Sequence, residues 1–498
     1  MDSRKRNIVI ALMVAMFLGA VEGTVVTTAI PTIVKDLQGF EIISLVFSVY
    51  LLTSAISTPI YGKLSDLYGR KNILSIGIII FLVGSFLCGL SHTMNMLIGF
   101  RAIQGLGAGA IFTVTYTIVG DVFTLEERPK VQGLIGTVWG IASLAGPFLG
   151  GILIDMLSWH WIFFINLPFG ILSVILIQRN LKETVKKKKH NIDFAGIITL
   201  SIAMIIFLNI FLSTENTSSK HNIFIAISVV ITIILLIAFY KIERKAKEPI
   251  IPFEIFTKTS TIVNLISFLA SAILIGSNVY LPIYLQNILG FNAKVSGLAL
   301  APMSVAWLIA SVVLGKCIVK YGAKVVIFIS NVILLISTIL LPTLDINSSL
   351  LLVLVYVFIM GFGFGGAFTT LTIIVQESVE YNKRGAATAT NSLLRTLGQT
   401  IGVSVFGSIF NLYIIRYFIQ LGIKGVEPSN LYNSSTYNAA VTSEQIKLSL
   451  NSSLHVLFII FIIISILSLI LSIVMPKIVG KDKKEHSENM LTESQNII

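Results

Sequence analysis

Polar and apolar positions segregate along this chain into long blocks rather than the short periods of a surface helix or strand. Apolar stretches of about 20 residues, the length that carries an α-helix across a bilayer core, recur from one end to the other with short polar segments between them. The blocks predict helical spans near residues 8–33, 42–61, 73–91, 96–119, 131–154, 161–178, 193–213, 222–240, 260–283, 295–314, 325–343, 350–375, 386–412 and 453–476. Fourteen spans put both termini on one side. The connection at roughly 415–452, rich in Asn, Ser and Tyr, is the longest on the opposite side and reads as polar and mobile. No connection is long enough for a separate soluble domain, so the fold class is an all-α polytopic membrane protein.

Composition agrees. Of 498 residues, 55% are hydrophobic and 12% charged, and mean hydropathy is +0.90; soluble domains carry about 25% charged residues. The net charge of +12 raises the question of nucleic acid, but the basic residues sit in short loops without the aromatic-interleaved surface that nucleic acid needs. Topology explains them better. Of 36 Lys and Arg, 28 fall in the N-terminus, the even-to-odd loops and the C-terminal tail, 6 in the opposite loops and 2 within spans. The positive-inside rule then places both termini in the cytoplasm, most strongly through KETVKKKK (182–189) and KIERKAKE (241–248). The first apolar run follows Arg4, Lys5 and Arg6, lacks a cleavage-like end and is expected to be retained as a span. Cys88 and Cys317 are far apart and define neither a disulfide framework nor a metal cluster, and the six His show no ligand spacing. Nothing has the form of a P-loop, so no cofactor or metal is expected and the energy source is expected to be an ion gradient.

The chain repeats itself. GLGAGAIFTVTYTIVGDVFTLEER (105–128) aligns without gaps on GFGFGGAFTTLTIIVQESVEYNKR (361–384), matching three alternate glycines, an acid (Asp121, Glu377) and an arginine (Arg128, Arg384). GKLSDLYGRK (62–71) likewise matches GKCIVKYGAK (315–324). Spans 1–6 and 9–14 are therefore related halves of the same topology, with spans 7 and 8 inserted; the expected units are residues 1–190, 191–258, 259–480 and a tail at 481–498. Parallel six-helix halves are the layout of the major facilitator fold. The glycine runs satisfy the spacing of a dinucleotide-binding loop, but they lie inside apolar spans without a preceding strand. Close helix packing through small residues accounts for them better.

GKLSDLYGRK places Lys63, Asp66, Arg70 and Lys71 in one short loop. Positive charge alone does not require the acid. Asp66 and Arg70 are spaced i,i+4, Gly62 and Gly69 permit a tight turn, and the second copy has Val319 and Ala323 in place of the charges, which points to a gating role. Here the sequence resembles the major facilitator superfamily, whose loop signature this segment matches. The resemblance implies that Asp66 caps a helix of the other half and that Arg70 pairs with Asp121 at the end of helix 4. LIGFRAIQGLGAG (97–109) is similar to the helix 4 signature with its embedded arginine, and GPFLGG (146–151) to the antiporter signature of helix 5, through Gly146, Pro147, Gly150 and Gly151, with Ala142 where that pattern often begins with glycine. WHWIFFINLPFG (159–170) and EGTVVTTAIP (22–31) resemble the fourteen-helix drug:proton antiporter branch.

Glu22 and Arg101 are the charges least explained by structure alone. Each costs at least about 2.5–3.5 kcal/mol at mid-bilayer. At about 1.5 Å per residue, Glu22 lies roughly 20 Å from the inner end of span 1 and Arg101 roughly 8 Å from the outer end of span 4, nearly the same depth in a core of about 30 Å. Contact would lower the cost of both, and since buried ion pairs are weak stabilisers a proton-coupling role is expected for the pair, with Glu22 facing the cavity between the halves. The family typically has aspartate at the Glu22 position. Asp155, at the outer end of span 5, is a second protonation candidate. Asp193 and Glu377 read as solvated or capping, with Glu377 also opposite the gate loop. Asn278, Tyr280, Trp307, Arg395 and Gln399 lie in apolar spans and are candidates to line a substrate cavity.

The resemblance implies a proton-coupled multidrug exporter, not an enzyme, moving hydrophobic, often cationic compounds by alternating access across a bacterial plasma membrane. Its expected partners are those small molecules, protons and lipid, with the chain a monomer. An exporter of a specific metabolite, siderophore or lipid on the same scaffold is the alternative; a receptor or intramembrane enzyme is a remote one, lacking a sensory domain or a nucleophile–base constellation.

Overall fold

A computed structural model describes residues 3–37, 44–183, 193–212, 219–423 and 442–476. Most of KETVKKKK, the middle of the 415–452 connection and the tail lie outside these. The described residues are helical apart from short connections. The long helices are α1 Ser3–Leu37, α2 Ser44–Tyr68, α3 Arg70–Cys88, α4 Met94–Val122, α5 Arg128–Met156, α6 Trp161–Asn180, α7 Phe194–Leu212 and α8 Ser219–Glu243. They continue as α9 Lys258–Ile283, α10 Ala301–Tyr321, α11 Ala323–Leu340, α12 Leu350–Glu377, α13 Arg384–Gln420 and α14 Ser443–Val474. Among the described residues, twelve helices are long and apolar enough to cross a membrane. Their outward faces carry large apolar side chains, as on α8, where Phe224, Ile227, Val230 and Ile234 are exposed; hydrocarbon is the solvent such a surface fits.

The helices form two bundles with one packing scheme. In the first, α1 packs on α5 and α6, α2 and α3 on α4, and α3 on α6. In the second, α9 packs on α13 and α14, α10 and α11 on α12, and α11 on α14. Adding eight to each number converts the first set into the second. The bundles meet through α5 against α10 and α2 against α13, two contacts that the same operation interchanges. The inserted pair, α7 and α8, packs together, and α7 touches α2 and α13, one helix from each bundle.

The repeated glycines set these distances. A Cβ on Gly105 or Gly109 would run into α2 backbone at Tyr50 and Ser54, and one on Gly107 into α3 at Phe81. Their counterparts Gly361 and Gly365 meet α10 at Met303 and Trp307, and Gly363 meets α11 at Leu334. Alternate glycines thus serve two neighbours on opposite sides of one helix, which is the packing role expected of them. The short turns after α2 and α10 also correspond: Gly69 has φ 91° and Gly322 φ 85°, a backbone region that side chains disfavour.

Four boundaries differ most from expectation. α2 runs on to Tyr68, so most of GKLSDLYGRK is helical and the turn is confined to Gly69 before α3 begins at Arg70; Gly62 lies within α2 and serves the close approach to α13, not a turn. α13 runs on to Gln420 because Ile414 and Phe418, one turn apart, continue its buried face. α14 begins at Ser443, ten residues before the apolar block, because Thr442 and Gln445 form a capping box that starts the helix in polar sequence. Span 10 is split into Ala293–Leu298 and α10, restarted with Pro302 in its first turn.

Candidate functional site

Two charge clusters stand out. The first is enclosed within the α1–α6 bundle. Arg101 Nη1 donates to Glu22 Oε1 at 2.5 Å and to Gln104 Oε1 at 2.7 Å, while Nε donates to the Val46 carbonyl of α2 at 3.1 Å. The guanidinium lies over the Tyr50 ring, 4.2 Å from its centroid. Asn166 of α6 donates to Glu22 Oε2 at 2.7 Å and to Ser85 Oγ of α3 at 2.9 Å. Glu22 is 1% exposed and Arg101 0%. The expected contact therefore forms, but Glu22 does not face the space between the bundles in this state: every partner named comes from its own half. Arg101 Nη2, Gln104 Nε2 and the Tyr50 hydroxyl are buried around the pair without a hydrogen-bond partner, so the polar cluster extends beyond the pair itself.

The second cluster joins the halves. At the end bearing the α2–α3 turn, Asp66 accepts from the backbone N–H of Gly385 and Ala386, both at 2.9 Å, at the start of α13. An N-terminal helix end is a natural carboxylate site. Arg70 bridges Asp66 and Asp121, each at 2.8 Å, and donates to the Tyr381 carbonyl of the other half. The repeat acids and arginines pair crosswise: Asp121 with Arg384 at 3.4 Å and Glu377 with Arg128 at 2.5 Å, with Arg384 also 3.2 Å from Glu377. Gln376 donates to the Tyr116 carbonyl. Gly62 and Gly385 let α2 and α13 touch backbone to backbone; a Cβ on Gly62 would stand 2.8 Å from the Gly385 carbonyl.

The inserted linkers fasten onto the same end. Glu183 accepts from the N–H groups of Arg70 and Lys71 at the start of α3. Lys63 pairs with Glu248 at 2.8 Å, and Lys383 with Glu254; the Lys383 ammonium holds the exposed Glu254 carboxyl below its usual range. A cavity of about 900 Å³ lies beneath the network, between Asp66, Arg70 and these linkers.

The remaining candidates scatter. Gly146 packs on Thr24 of α1, whose hydroxyl donates to the Ala142 carbonyl at 3.0 Å. Gly150 is buried in α5, whereas Gly151 has open space where a Cβ would stand. The side chains of Pro147 and Asp155 lie outside the described residues. Asp193 caps the N–H of Gly196 at 2.9 Å. Tyr280 is packed against Phe410 in the core of the second half. Asn278 is exposed, and Trp307, Arg395 and Gln399 are partly buried. Sequence reasoning missed Gln104 and Asn166 as partners of the buried pair, although Gln104 sits one turn from Arg101 and Asn166 interrupts an apolar run. Arg384 was visible only as the repeat of Arg128, and nothing in a basic linker marks Glu183.

Two six-helix bundles related by an internal repeat, with an ion-pair network across one end of their interface, define a multi-span membrane transporter architecture. The chain belongs to the Major Facilitator Superfamily, whose family pattern it matches over residues 12–403. It is 35% identical over 412 residues to Multidrug transporter protein MdtP of Bacillus subtilis (strain 168), covering 82% of this chain and 76% of that protein. It is 36% identical to Multidrug resistance protein 3 of the same organism (81% and 79% covered) and 33% identical to Multidrug efflux pump SdrM of Staphylococcus aureus (strain N315; 85% and 92% covered). The crystal structure of the human organic anion transporter MFSD10 (TETRAN) shares the fold, with a TM-score of 0.64 at 13% identity, covering 95% of this chain and 100% of that one.

Proposed function

We propose that the chain is a proton-coupled multidrug efflux antiporter that works by alternating access. The observation that carries this reading is the division of labour between the clusters: a carboxylate–guanidinium pair sealed at membrane depth inside one half, and a breakable network between the halves at one end. The printed names of the bacterial relatives support the substrate range. In this reading α5 and α7, continuous helices of 29 and 19 residues, join the other twelve as spans in a 6 + 2 + 6 arrangement. The basic loops put both termini in the cytoplasm, and the Asp66 network then closes the cytoplasmic side. The protein acts as a monomer in a bacterial plasma membrane, with no cofactor beyond the proton gradient.

Rocking of rigid halves opens the network but leaves Glu22 and Arg101 together, since both belong to one half. Proton exchange at Glu22 therefore needs a movement inside that half. α1 is suited to it: Gly23, beside Glu22, has open space where a Cβ would stand. A carboxylate next to a guanidinium is held charged, and one left alone in an apolar surround is held protonated. A shift of α1 against α4 thus loads or releases the proton, and Asp155 is a second protonation candidate. The test is purified protein in proteoliposomes: an outwardly directed substrate should move protons inward, and substrate movement without proton movement would overturn the coupling.

A further inference from the structure

α13 carries a polar face at membrane depth. Ser392, Arg395, Thr396, Gln399 and Thr400 recur at spacings of three and four and are all partly exposed, while other faces of the helix are occupied. Asn391 donates to Asn264 and Ser267 of α9, Gly398 and Gly402 abut α9 at Phe268 and Ala272, and Leu393 and Leu397 join an apolar cluster. A row of polar side chains turned to hydrocarbon is costly, so this row borders the space between the halves.

Arg395 is the charge on that face. It lies eleven residues into α13, about 16 Å from the Arg384 end at 1.5 Å per residue. Nη2 donates to the Phe368 carbonyl at 3.2 Å and to Thr372 Oγ1 at 2.7 Å, and the guanidinium sits 4.6 Å from the Phe368 ring centroid. Its Nε is buried with no acceptor. Its ionisable neighbour is Tyr116 of α4, in the other half. Among the described residues no carboxylate pairs with it, whereas Arg70, Arg101, Arg128 and Arg384 each have one. Beside it, Phe368 stacks on Trp307 at 5.3 Å and 11°, and the partly buried Trp307 reaches across to Gly136 of α5.

The geometry points to a subsite for a hydrophobic aromatic molecule bearing an anionic group, a carboxylate or sulfonate, with the anion on the unmet guanidinium N–H and the ring along Trp307. A guanidinium offers such groups paired donors, and in a low-dielectric space the attraction is larger than in water. This rests on the transporter reading and assigns it hydrophobic anions in place of the often cationic compounds that the resemblance implies.

The test is equilibrium binding to the full chain in nanodiscs, with empty nanodiscs subtracted, using naphthalene-2-sulfonate, the neutral naphthalene-2-sulfonamide and a trimethylnaphthylammonium cation. The native protein should bind the sulfonate at least tenfold more tightly than either of the others. Arg395→Gln should abolish that preference, and Arg395→Lys should keep part of it. Thermal unfolding of each variant identifies misfolding, and an unstable Arg395→Gln is replaced by Arg395→Met with the same expectation. Tighter binding of the cation by native protein, or an unchanged sulfonate preference without the guanidinium, overturns the assignment. Because binding needs no proton gradient, a failure of proton coupling leaves this readout intact, and the two failures are separable.

Discussion

The two charge clusters use the same chemistry for opposite ends. Glu22 and Arg101 are surrounded by their own half, so nothing in a rigid-body opening touches them. Asp66, Arg70 and Asp121 are also mostly buried and pair with one another inside the first half, yet Asp66 also holds Gly385 and Ala386, Arg70 holds the Tyr381 carbonyl, and Asp121 and Glu377 pair with Arg384 and Arg128 across the seam; an opening at that end breaks this second set. A buried ion pair inside a unit fixes that unit; the same pair across a seam sets the balance between closed and open. The distinction lies in topology, not in the strength of any single contact.

Removing one partner from the enclosed pair should have the largest effect. Arg101→Met leaves Glu22 buried without its counter-charge and should cost about 3–5 kcal/mol, read as a lowered unfolding midpoint in detergent. Adding Glu22→Gln to that variant should restore part of the loss; if it restores nothing, the pair is not the coupled unit described. Next comes the seam itself. Gly62→Val places a branched side chain where the Gly385 carbonyl and Ala389 stand, so the α2–α13 crossing should no longer close, and spin-label distances across that end should lengthen in most molecules. Asp66→Ala removes two bonds to α13 and the link to Arg70; at about 1.5–3 kcal/mol per charged hydrogen bond it should shift the closed–open balance at least tenfold without lowering stability as much as Arg101→Met. An unchanged distance distribution would show that the Asp66 contacts do not hold the seam closed. The smallest effect is expected at Lys63→Ala, where a partly exposed pair with Glu248 contributes about 0.2–1 kcal/mol; opening rates, not the populations, are the sensitive readout there.

Much of this was legible in the sequence because a membrane imposes simple rules. Block hydropathy located the long helices, and the repeat revealed the two bundles whose contacts coincide under renumbering. The alternate glycines of α4 and α12 were readable as packing since no strand precedes them. The depth estimate that matched Glu22 with Arg101 worked because a straight helix converts residue number into height. It could not say which way the pair faces: height carries no azimuth, and the partners that enclose it, Asn166 and Gln104, are ordinary amides until the helices are placed. For the same reason, height could not show that the Tyr280 ring packs among the apolar side chains of the second half. The crosswise pairing of Asp121 with Arg384 and Glu377 with Arg128 was implicit in the repeat, but the pseudo-twofold arrangement is needed to see that each acid meets the other half's arginine. The early start of α14 was missed because a capping box, not hydropathy, begins it.

In the proposed division of labour the enclosed pair couples protons while the seam only gates. Transport by Glu22→Gln in proteoliposomes, with and without a pH gradient, tests it most directly. Substrate exchange at equal pH should persist while gradient-driven accumulation is lost; accumulation at the native level in Glu22→Gln would overturn the assignment of coupling to the enclosed pair.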